Sequence, residues 1–69
     1  MTVQADVKKA LATAQTTLGS YQTFAESTTD QAAKQMYQGL ASDMQRHVDV
    51  LNSRFTYLTN SNPLNQQQQ

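Results

Sequence analysis

The sequence predicts an all-α fold: an antiparallel two-helix hairpin, with helices over about residues 3–27 and 29–59, that self-associates, most simply into a four-helix bundle. Three observations carry this reading. Apolar residues recur at steps of three and four on both sides of residue 28, a short polar run at residues 26–31 interrupts the recurrence, and no proline occurs before Pro63. Steps of three and four return a residue to the same helix face, because a turn takes 3.6 residues.

The first helix is expected to start at Thr2, whose hydroxyl can cap it. From Val3 the apolar series runs through Val7, Ala10 or Leu11, Ala14, Leu18, Tyr21 and Ala25, and from Val7 on it is an unbroken heptad-like seam. Asp6 places a carboxylate near the positive end of the helix dipole, and Ala10, Ala12 and Ala14 permit a close neighbour. Gly19 and several threonines lower helix propensity, so this helix must draw its stability from packing.

Thr28 followed three residues later by Gln31 has the form of a capping box, with Asp30 in the first turn of the second helix. The stretch beyond is the strongest signal in the chain: Ala33, Tyr37, Leu40, Met44, Val48, Leu51, Phe55 and Leu58 share one helix face. Together with Val7, Leu11, Leu18 and Tyr21, these residues from Tyr37 to Leu58 form the expected hairpin core. A linker this short forces the helices back antiparallel. A turn near Thr28 sets Tyr21 opposite about Tyr37, with Phe24 and Phe55 as core aromatics.

Asn60 or Asn62 is expected to end the second helix, and Pro63 to keep it ended. The chain thus divides into a hairpin over residues 1–60 and a polar tail over 61–69, whose last four residues are all glutamine. The run from Gln66 to Gln69 has no apolar partner, so it is expected to fray, with a Gln-rich strand or docking onto a neighbouring subunit as the rival reading.

A second stripe lies on the flank of the second helix. Met36, Val50 and Tyr57 stand at multiples of seven, with Asp43 in the same series. One hairpin interface cannot cover this stripe as well as the main seam. At 69 residues with no cysteine, the chain has neither a large core nor a disulfide or thiolate-zinc staple. Oligomerisation is the remaining common device, so Met36, Val50 and Tyr57 are the expected self-association residues. An open helical array is the less usual outcome, when the contact does not close.

Composition argues against most other functions. Five Lys and Arg balance five Asp and Glu along the chain, leaving no basic stripe for nucleic acid, and none of the five aromatic residues sits in a cluster of Lys or Arg. His47, four residues after Asp43, could share a metal with it, but four ligands are wanted and the chain holds one Glu, Glu26. His47 is therefore read as a seam-edge residue bonded to Asp43 or to a partner. No nucleophile elbow or phosphate loop surrounds the serines, threonines or glycines, so no enzymatic activity and no cofactor are expected. The N-terminus lacks a signal-peptide pattern and no run is long enough to cross a bilayer, which reads as cytosolic synthesis. The polar faces carry Gln, Thr and Ser rather than Lys and Arg, which argues against direct membrane insertion.

Met1-Thr2-Val3, Val7-Lys8, Leu11-Ala12, Phe24-Ala25, Thr28, Ala33-Lys34-Gln35, Tyr37, Ala41, Gln45, Val48-Asp49, Leu51 and Arg54 together resemble a known pattern. It is that of the small family called domain of unknown function 1657, found in endospore-forming Firmicutes, and the resemblance covers about residues 1–58. It implies a sporulation setting, because such proteins are encoded beside genes for the spore dipicolinic-acid channel and the same domain is fused to a spore membrane protein. The expected location is the forespore or spore. The expected partners are the chain itself and, in an adaptor role, a spore-membrane protein of the channel or germination system. The family carries no established enzymatic activity. Family members tend to be richer in Glu and to end near a Pro-Gln-Tyr segment, whereas this chain has Asn62-Pro63-Leu64-Asn65 and a glutamine run.

Overall fold

The computed structural model describes residues 2–61. Two helices account for nearly all of them, α1 over Val3–Ser27 and α2 over Gln31–Ser61, packed against each other along their length. The rod they form measures 51 × 16 × 13 Å between Cα atoms. Its long dimension agrees with the roughly 46 Å that 31 helical residues span. The tail expected over 61–69 lies outside the described residues from 62 onward, and Ser61 itself ends α2.

Thr2 caps α1, with its hydroxyl accepting from the Ala5 backbone N–H at 3.0 Å and its carbonyl accepting from Asp6 N–H at 3.1 Å. Within α1, Thr16, Thr17, Ser20 and Ser27 each donate to the carbonyl four residues earlier, at 3.0–3.2 Å. Weak helix formers are thus accommodated by bonding back to their own helix. Gly19 and Gly39 face open space, with nothing within 4 Å of where a Cβ would stand.

The turn differs from the expected capping box. Thr28 is the C-cap of α1: its backbone is extended (φ −75°, ψ 141°) and its N–H donates to Phe24 O at 3.1 Å. Its hydroxyl accepts from Asp30 N–H at 3.2 Å, which closes the turn. Asp30 then caps α2, because its Oδ2 accepts from Ala33 N–H at 3.1 Å and its carbonyl from Lys34 N–H at 2.9 Å. A carboxylate at the positive end of a helix outranks a threonine hydroxyl as a cap, so α2 starts at Gln31 rather than at residue 29. No described residue has a positive φ, so the reversal uses only extended and helical backbone.

This late start moves the helix register by about one turn. Phe24, not Tyr21, meets Tyr37, with ring centroids 5.5 Å apart and planes tilted by 50°. At the open end the Gln4 side-chain amide donates to the Thr59 hydroxyl at 2.9 Å. That anchor and the buried Leu58 carry α2 past Asn60, which does not end it.

The core is a single seam. Leu11, Ala14 and Val48 form its centre, with Leu18, Met44 and Leu51 packed around them, and Ala25 and Leu58 are buried toward the ends. Val7, Tyr21, Tyr37, Leu40 and Phe55 are half-buried along the same line. Among the described residues no large side chain is completely enclosed, as befits one helix-to-helix contact with solvent on both sides.

Candidate functional site

Among the described residues, five large apolar side chains stand in solvent: Val3 at 64% exposure, Phe24 at 48%, Met36 at 53%, Val50 at 69% and Tyr57 at 54%. Scattered exposed hydrophobics are ordinary on a protein surface, and only a grouping carries meaning. These five are grouped. On α2, Met36, Val50 and Tyr57 recur at sevens with Asp43, each one residue before a seam residue, namely Tyr37, Leu51, Leu58 and Met44. On α1, Val3 and Phe24 belong to the same kind of series, with Ala10 preceding Leu11, Thr17 preceding Leu18 and Phe24 preceding Ala25.

The two series lie on one side of the hairpin. When two helices pack antiparallel, the residue preceding the seam on one flanks the same edge as the residue preceding it on the other. The Gln4–Thr59 bond and the Phe24–Tyr37 contact set the relative level of the helices. Val3 then shares a level with Tyr57, Ala10 with Val50, Thr17 with Asp43, and Phe24 with Met36, each to within about 5 Å along the axis. The face has four layers, three of them apolar and one polar.

Phe24 is the residue that the helical pattern misplaced. Phe24 was expected as a core aromatic opposite the second helix, and Val3 only opened the apolar α1 series, outside the expected core that begins at Val7. Phe24 instead rests one edge on Tyr37 and presents the rest to water. The period of seven through 3, 10, 17 and 24 was the signal for this, partly hidden by Ala10 and Thr17.

Several polar side chains of α2 are paired locally. Arg46 Nη2 donates to Asp43 Oδ1 at 2.6 Å, an exposed ion pair one turn apart, and Gln45 Nε2 donates to Asp49 Oδ1 at 3.0 Å. The bond expected between His47 and Asp43 is not the one formed. Arg46 has the longer reach and a full charge, and His47 is exposed. The Arg54 guanidinium lies 5.0 Å from the Tyr57 ring centroid, so it covers part of an exposed aromatic surface. Among the described residues no three His, Asp or Glu side chains gather as a metal-binding set. No described helix is long and apolar enough to cross a membrane.

No curated protein and no solved structure matches the chain. A family model does, the one described as protein of unknown function (DUF1657), over residues 7–55. That span includes the turn, most of both seams and three of the four layers of the exposed face. It is well over half of the chain, and on that basis the protein belongs to the DUF1657 family.

Proposed function

We propose that this is a non-enzymatic, self-associating helical-hairpin protein of bacterial endospores that acts as a structural or assembly component. The observation that supports the reading best is the exposed stripe of Met36, Val50 and Tyr57, an apolar edge on a rod whose own seam is already filled. Such an edge in water favours a partner that covers it, and zero net charge lets copies approach without mutual repulsion. The sporulation setting rests on the family, and the role needs no cofactor.

Sedimentation of the pure protein at micromolar concentration, followed by electron microscopy, tests the proposal. Oligomers are the expected result, either closed four-helix particles or fibres, and a stable monomer would sink it. The same stripe could serve an adaptor that holds a spore-membrane protein. That role would show as a small discrete oligomer that binds the membrane protein through Met36, Val50 and Tyr57.

A further inference from the structure

We infer that the occupant of the exposed face is a second copy in one orientation, with the loops of the two hairpins at the same end and α1 of each against α2 of the other. This deepens the self-association proposed above and rests on it.

Two face-to-face arrangements keep every neighbouring helix pair antiparallel, and the four layers distinguish them. With the loops together, each level meets its own level in the partner. Val3 then meets Tyr57 of the second copy, Ala10 meets Val50, Phe24 meets Met36, and Asp43 meets Thr17. All three apolar layers close on apolar layers, and the carboxylate falls beside a hydroxyl. Thr17 now donates to Thr13 O at 3.0 Å, and its rotor can turn toward a carboxylate instead. With the loops apart, α2 meets α2, and the same sevenfold spacing sets Asp43 against Val50. A carboxylate packed against a valine loses hydration and gains no polar group from the partner copy, so its own pair with Arg46 is all that offsets the cost. One polar residue in an otherwise apolar helix edge commonly selects a single packing register in this way.

Charge on the rim points in the same direction. Asp6 lies on the outer margin of the same side of α1, at nearly the level of Arg54 on α2, and both are exposed. Within the hairpin, Arg54 lies over Tyr57, and Arg46 pairs with Asp43. Joining the loops at one end brings Asp6 of each copy to Arg54 of the other. The loops-apart arrangement sets Asp6 at about the level of Ser20.

The area suffices for a closed dimer. At the observed exposures, and with about 150–200 Å² for a fully exposed apolar side chain, the five residues offer on the order of 500 Å² per copy. Two copies reach about 1,000 Å² before the flanking polar surface is added, which is where specific interfaces begin.

The chain has no cysteine, so single cysteines report the orientation cleanly. Full-length Phe24→Cys and Met36→Cys proteins, one carrying a mass tag, are mixed and treated with a bismaleimide spanning roughly one interhelical distance, about 10 Å. The same is done with Met36→Cys and Tyr57→Cys. The loops-together dimer links the first mixture and leaves the second unlinked, because Met36 and Tyr57 of different copies are then about 30 Å apart. Linking of the second mixture alone overturns the orientation while leaving self-association standing, whereas a monomer by sedimentation overturns both. A second measurement needs no cysteine: Asp6→Arg should weaken dimerisation about tenfold, and adding Arg54→Asp should restore it. Failure of the double variant to recover counts against the orientation.

Discussion

Val48 and Val50 sit two residues apart in α2, one buried in the centre of the seam and the other the most exposed large apolar residue described. Changing each to alanine removes the same atoms from opposite environments. For Val48→Ala, two buried methyl groups at about 0.8 kcal/mol each give about 1.6 kcal/mol, and incomplete collapse around the hole raises this to roughly 2 kcal/mol. Alanine returns about 0.5 kcal/mol of helix propensity at either site. The hairpin should therefore lose roughly 1.5 kcal/mol with Val48→Ala and gain about 0.5 kcal/mol with Val50→Ala. For a chain of this size that is a fall in Tm of roughly 6–12 °C in the first case and a small rise in the second. Thermal unfolding followed by circular dichroism, at a concentration low enough to dissociate oligomers, makes the measurement. At high concentration the picture changes, because Val50→Ala also removes part of the association surface and its advantage should vanish. Equal destabilisation by both variants at low concentration would falsify the division of α2 into a seam and a spare edge.

Further outcomes follow from single features of the hairpin. Asp30→Ala removes the acceptor at the start of α2 and should cost about 1 kcal/mol in urea unfolding, whereas Thr28→Ala should cost less, since its hydroxyl closes the turn and does not cap the helix. Gly39→Ala meets open space in a helix interior and should raise stability by up to about 1 kcal/mol, and a loss instead would mean that the site is covered in solution. Thr59→Val deletes the acceptor for Gln4 at the open end, with an expected loss of about 1 kcal/mol and faster amide exchange in the last turn of α2. Raising sodium chloride from about 0.1 to 1 M should move monomer stability by less than about 0.5 kcal/mol, because the Arg46–Asp43 pair is exposed on both sides.

Much of the fold was legible because its signals are local. The seam from Tyr37 to Leu58 repeats at helical spacing through residues that are all apolar, and a helix that buries one stripe must write that stripe into its own sequence. Thr2 was legible as a cap for the same reason, since the hydroxyl and the amide it serves are three residues apart. Met36, Val50 and Tyr57 stood out because the seam beside them was already complete.

The turn was less legible, since Thr28 and Asp30 are both good caps and the choice depends on how far each helix is held by its partner. That choice moved the register by a turn, and with it the neighbour of Tyr37. Phe24 could not be placed by pattern, because an aromatic residue one step from the seam is core or surface according to the rotation of its helix against the other. His47 likewise lost Asp43 to Arg46, a competition decided by side-chain reach.

The sequence by itself determined two helices, the face each one buries and the apolar edge left over, because helical periodicity and capping act over a few residues. Only the tertiary structure decided that the leftover residues of both helices fall on one side in four matched layers. That property belongs to the relative level and rotation of the two rods, which the Asp30 cap, the Phe24–Tyr37 contact and the Gln4–Thr59 bond settle together.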